Sequence, residues 1–116
     1  RIAEHIVAQE LVAYDNSLSL HRNYWRRDKQ GSDAEIDFLY QYQNMLIPIE
    51  VKSGHNAKLK SLHIYMDMVS HNIAIRIWSN PFSIDEVKTP NGKTFKLLNI
   101  PFYYVGQIEK ILEQNV

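Results

Sequence analysis

Ser32 to Ser53 reads SDAEIDFLYQYQNMLIPIEVKS, and its pattern decides the fold. Residues 34–40 alternate, with Ala34, Ile36, Phe38 and Tyr40 to one side and Glu35, Asp37 and Leu39 to the other. Residues 47–52 alternate too, with Ile47, Ile49 and Val51 opposite Pro48, Glu50 and Lys52. A period of two over such lengths predicts a pair of strands. Tyr42 and Met45 then flank a two-residue turn at Gln43-Asn44, which sets Asp37 across from Glu50 and Glu35 across from Lys52. Sliding the register by two residues keeps the apolar faces together and leaves the acids on one face. Carboxylates opposed across a ladder repel. A divalent cation suits them.

Toward the N-terminus, residues 2–14 put Ala3, Val7, Leu11 and Tyr14 on one stripe, widened by Ile2 and Ile6. That is an amphipathic helix laid against a sheet, ended by the turn formers Asp15-Asn16-Ser17. Glu4 sits beside the stripe, where a glutamate is ordinarily solvated. Residues 22–27, RNYWRR, predict a first strand, and Gly31 lets the chain turn from it into the hairpin. Arg26 and Arg27, with Arg22 and Lys29, interleave with Tyr24 and Trp25. Such a mixture holds phosphates and stacks bases, or it keeps an edge strand soluble.

Toward the C-terminus, Lys58 and Lys60 open a helix to about Asn72, with Leu59, Leu62, Tyr65, Met66 and Val69 as its stripe. Lysines at a helix start oppose the dipole unless an anion such as a phosphate sits there; the plain alternative is an exposed helix face. IAIRIWS at 73–79 predicts a central strand beside the hairpin. Asn91-Gly92 signals a second hairpin, with Pro90 at a strand end. A last helix runs from about Tyr103 to Gln114, with Val105, Ile108, Ile111 and Leu112 inward. His55, His63 and His71 recur every eight residues, a step of about 80° around a helix. They do not converge on a metal, and all five histidines read as structural or solvated.

The chain has 116 residues, enough for one domain with a real core. Its 45% apolar and 22% charged residues are those of an ordinary globule. Formal charge is zero, so any attraction to nucleic acid must come from a local patch. Cysteine is absent, which excludes disulfides and thiolate metal sites and fits a reducing, cytoplasmic setting. No apolar run approaches a membrane span. None of Gly31, Gly54, Gly92 and Gly106 falls in a GxxxxGK[ST] loop, so ATP hydrolysis is not encoded here. Opening on Arg1, already inside a helical pattern, the chain reads as a fragment of something longer.

Asp37, twelve intervening residues and then Glu50-Val51-Lys52 resemble the signature of the PD-(D/E)XK nuclease superfamily. Ile36 stands where the superfamily name has proline. IPIEVKSG, preceded by AEIDF and by a helix carrying Glu4, is similar to one subfamily in particular, the uncharacterised domain at the C-terminus of bacterial and archaeal AAA-type ATPases. The resemblance covers roughly the first 80 residues well. It implies an α+β (α/β) fold with a restriction-endonuclease-like core: a mixed β-sheet flanked by helices in the order αβββαβ, here followed by a hairpin and a helix.

Magnesium or manganese would sit on Asp37 and Glu50, and the resemblance adds the Val51 carbonyl as a third ligand. Lys52 would orient a water or stabilise the charge growing on the phosphate. The resemblance also gives Glu4 a place in the metal or water shell. Without a metal, Lys52 and the acids make a simple ion pair. Arg26, Arg27, Lys58 and Lys60 are the candidate contacts to nucleic acid. The expected activity is metal-dependent hydrolysis of DNA phosphodiesters by a domain attached to an ATPase. The alternatives are a non-cutting nucleic-acid-binding module and an interaction domain docking on its ATPase or another protein. The partners are DNA and the N-terminal ATPase, not a membrane, with assembly into oligomers left open.

Overall fold

The computed structural model describes residues 20–27, 34–52 and 59–116, with Leu20–Arg27 and Ala34 as backbone. The expected N-terminal helix with Glu4, the turn at Gly31 and the residues from Ser53 to Lys58 lie outside them, as do the side chains of Arg26 and Arg27. Six strands form one mixed sheet: β1 (Leu20–Arg27), β2 (Ala34–Tyr42), β3 (Met45–Val51), β4 (Ile73–Trp78), β5 (Ser83–Lys88) and β6 (Thr94–Pro101). Helix α1 (Lys60–Met68) connects β3 to β4. A 3-10 helix (Phe102–Gln107) and α2 (Ile108–Asn115) follow β6. This is the α+β arrangement that the element order predicts, a mixed sheet flanked by helices.

The spatial order is β1-β2-β3-β4-β6-β5. β3, β4 and β6 run parallel, and the outer strands add antiparallel. The central position of IAIRIW follows from its composition, since strands covered on both faces read as continuous apolar runs. Tyr42 pairs with Met45 across the Gln43-Asn44 turn, and the ladder continues to Phe38 opposite Ile49. That is the register the hairpin pattern predicts. Gln43 takes φ 54°, a left-handed conformation costing about 1 kcal/mol for a residue with a Cβ. The Gln41 amide partly offsets this by donating to the Gln43 carbonyl at 2.8 Å.

Two cores lie on the two faces. On one, Phe38, Tyr40, Ile49, Ile75, Ile77 and Ile100 meet Val105, Ile108 and Leu112 of the C-terminal helices. On the other, Leu62, Tyr65 and Met66 of α1 pack on Leu39, Ala74, Phe95 and Leu97. Ile36 departs from the expected alternation: it packs with the α1 cluster, not with Phe38 and Tyr40. The β2–β3 ladder has ended by then, and the β1 pairing shifts register between Arg22 and Trp25, opposite this point. A bulge of that kind increases local twist. The Glu35 N–H, released from β3, donates to Ser61 Oγ of α1 at 3.2 Å.

Helix α1 is shorter than its apolar stripe suggests, because Val69 is already extended. One side chain gathers carbonyls at and just beyond the helix's C-terminus. Lys93 Nζ, on the β5–β6 connection, donates to the carbonyls of Met66 and His71, each at 2.6 Å, and to that of Val69. Asp67 fastens the same connection by accepting from Thr89 Oγ1 at 2.7 Å and Asn91 Nδ2 at 3.0 Å. Gly92 supplies the φ of 97° that the turn needs. The last helix is helical over the predicted span, but its first part winds as a 3-10 turn. The aromatic and glycine residues of FYYVGQ are poor α-formers.

Candidate functional site

Beyond Phe38 and Ile49 the hairpin ladder gives way to side chains. Asp37 Oδ2 accepts the Val51 N–H at 3.2 Å, so a carboxylate replaces the next backbone partner. Glu50 lies between Ile49 and Val51 and is 6% exposed. Its Oε2 is 3.3 Å from Lys52 Nζ, whose side chain is 23% exposed. Its Oε1 is buried and, among the described residues, has no hydrogen-bond partner. Lys52 lies one residue past the end of β3 and continues the parallel pairing by donating its N–H to the Ile77 carbonyl at 2.9 Å.

Burial and, after it, the neighbouring Asp37 charge push the Glu50 carboxyl up to about 7. Lys52 and the Asp37 backbone N–H pull in the other direction without cancelling the effect. A buried carboxyl beside a like charge, with one oxygen lacking a hydrogen-bond partner among the described residues, is stabilised by added positive charge. Asp37 and Glu50 supply only oxygen donors, the preference of a hard divalent cation. The residues therefore fit a magnesium or manganese ion. Among the described residues no group of three or more His, Cys, Asp or Glu side chains converges on such a position. Further donors would have to come from backbone, water or residues outside those described, Glu4 among them.

Asp37, Glu50, Val51 and Lys52 thus come together as the hairpin reading expects, with Val51 entering through its N–H. Lys60 opens α1 and takes no part in these contacts. It lines a groove of about 600 Å³ on the helix flank with His63, Ile64, Asp67, Met68, Pro90 and Asn91. That groove is lined by none of the acidic pair. The described histidines stay apart: His63 sits edge-on to Phe95 at 5.9 Å, and His71 Nε2 pairs with the Leu46 carbonyl at 2.8 Å. Lys58 and the side chains of Arg26 and Arg27 lie outside the described residues.

One group escaped the sequence reading. Arg76, the register partner of Glu50 on β4, is 8% exposed and donates from Nε to Asn99 Oδ1 at 2.8 Å. Its Cζ lies 4.3 Å above the Trp78 ring. The signal was there to be read: a charged residue breaks the isoleucine alternation of IAIRIW, in a strand with no solvated face.

Fold and site together define an α+β domain whose antiparallel β2–β3 hairpin presents two acids and a lysine at one end of a mixed sheet. The chain belongs to a family described as a domain of unknown function (DUF4143), whose model matches residues 1–103, and which is often found with ATPases. No curated protein matches the chain. Among the described residues, no helix is long and apolar enough to cross a membrane.

Proposed function

We propose that this domain is a magnesium- or manganese-dependent nuclease module of the PD-(D/E)XK kind, acting on DNA phosphodiesters in the cytoplasm beside an ATPase domain of the same polypeptide. The observation that carries the reading is the Glu50 carboxylate, buried next to Asp37 with Lys52 on Oε2 and, among the described residues, no hydrogen-bond partner on Oε1. Asp37 and Glu50 would hold the cation, with the Val51 carbonyl as a further donor. When bound, the cation supplies Lewis-acid polarisation of the phosphodiester and a water of lowered pKa. Lys52 positions its ammonium where charge grows on the phosphate, and the fixed strand ends keep it there without reorganisation. Asp37 holds the end of β3 through the Val51 N–H, which fixes the direction of Glu50 and Lys52.

The test is cleavage of linear, circular and branched DNA by the full-length chain with magnesium or manganese, comparing wild type with Glu50→Ala and Lys52→Ala. Cleavage by wild type that both substitutions abolish is the expected result. No cleavage above background overturns the nuclease reading. The runner-up, a non-cutting binding or docking module, draws on the formal neutrality of the chain. Salt separates its two forms. DNA held through phosphates is released steeply as salt rises, whereas a protein docked through apolar surface is not.

A further inference from the structure

Arg76 and Glu50 are register partners on adjacent parallel strands, both nearly fully buried, and both on the face that α1 covers. A guanidinium one strand away from a buried carboxylate would ordinarily close an ion pair, since either charge left alone in the interior is costly. Here each pairs elsewhere. Glu50 has Lys52 on Oε2 and, among the described residues, no hydrogen-bond partner on Oε1. Arg76 faces the opposite direction, with Nε on Asn99 Oδ1, Nη2 3.9 Å from Asp85 Oδ2, and the guanidinium stacked on Trp78.

Asn99 is fully buried, and its orientation is fixed in turn. Its Nδ2 donates to Asp85 Oδ2 at 2.8 Å and to Ser83 Oγ at 3.0 Å, which leaves Oδ1 turned to Arg76. One carboxylate on the outermost strand therefore sets both the amide and the guanidinium. Trp78 closes the remaining side, held by its Nε1–H on the Pro81 carbonyl at 3.2 Å.

We infer that Asp85, Asn99 and Trp78 form a positioning device that holds Arg76 away from Glu50 and keeps Glu50 Oε1 available to a divalent cation. This rests on the cation-binding reading proposed above. A guanidinium swung onto Oε1 would bring Glu50 a second positive charge beside that of Lys52, in a geometry that a carboxylate accepts readily. It would displace the metal. Asp85 is then a residue that acts on the site through Arg76, from three strands away.

The experiment is manganese binding to the full-length protein, followed by calorimetry and by the loss of the free-ion electron paramagnetic resonance signal, with no nucleic acid present. Asp85→Ala frees the guanidinium and is expected to weaken manganese binding roughly tenfold to a hundredfold. Asp85 is half exposed on an edge strand, so this change opens no core. Arg76→Met should bind as wild type does, and the double variant Asp85→Ala/Arg76→Met should return to wild-type affinity. That rescue separates positioning from a general loosening of the sheet, which removing Arg76 would not repair. Undiminished binding by Asp85→Ala, or a double variant as weak as Asp85→Ala alone, overturns the inference. A wild type that takes up no manganese overturns the cation-binding reading itself.

Discussion

Glu50→Gln converts the acidic pair into a stability experiment. Glu50 moves from 4.5 in the open chain to about 7 in the folded one, chiefly through burial and then through Asp37. Between those values the unfolded chain has already released the proton while the folded one retains it. Stability from this group is therefore complete below pH 4.5 and falls as pH rises to about 7, levelling beyond. At about 1.4 kcal/mol for each pH unit across that window, the loss is about 3 kcal/mol. Glutamine keeps the shape and does not titrate. Urea denaturation with a chelator present should show wild type losing about 3 kcal/mol from pH 4.5 to pH 8 relative to Glu50→Gln. His71, which burial lowers below the ordinary histidine range, works in the opposite sense in both proteins and drops out of the comparison. Parallel pH profiles for the two proteins would refute the placement of Glu50 as a buried, underpartnered carboxyl. Added manganese should restore stability to wild type at pH 8 and do far less for Glu50→Gln.

Three further outcomes are expected. Lys93→Met leaves the carbonyls of Met66, Val69 and His71 without their shared donor and should cost about 2 kcal/mol in the same urea assay. Gly92→Ala should cost about 1 kcal/mol by thermal melting through its backbone alone, because a Cβ there meets no atom within 4 Å. Lys52→Met should reduce turnover of DNA on the order of 100-fold while manganese binding persists, since Lys52 contacts Glu50 Oε2 and leaves Oε1 untouched. Turnover and calorimetry on one preparation decide that point.

The hairpin was legible because both strands keep a period of two and the turn has only two residues, which leaves the register little freedom. Tyr42 opposite Met45 carried Asp37 and Glu50 to one place without further information. Ile36 was misread because alternation assumes an undisturbed ladder, and the shift that removes it is set by β1, a different segment. The pattern overextends α1 because Val69 is apolar at helical spacing, while Lys93, which takes up the Val69 carbonyl where the chain turns extended, comes from far along the chain. The Arg76–Asn99–Asp85 network was invisible for the same reason: three strands contribute one residue each, and no local pattern joins them. Contacts between neighbours in sequence are readable; those made by sheet order are not.

The two acids of the site come from one local hairpin, whereas β4, whose Arg76 is the register partner of Glu50, reaches β3 only across α1. Local pairs form early and crossovers late. The carboxylates therefore meet while still hydrated, and their dehydration belongs to the downhill side of the folding barrier. Chevron plots should accordingly show refolding rates indifferent to pH between 5 and 8 and unfolding rates that climb with it. A pH-sensitive refolding limb would mean that the parallel strand docks first. On that order of events the strain of the buried carboxyl belongs to the finished molecule, not to the route by which it forms.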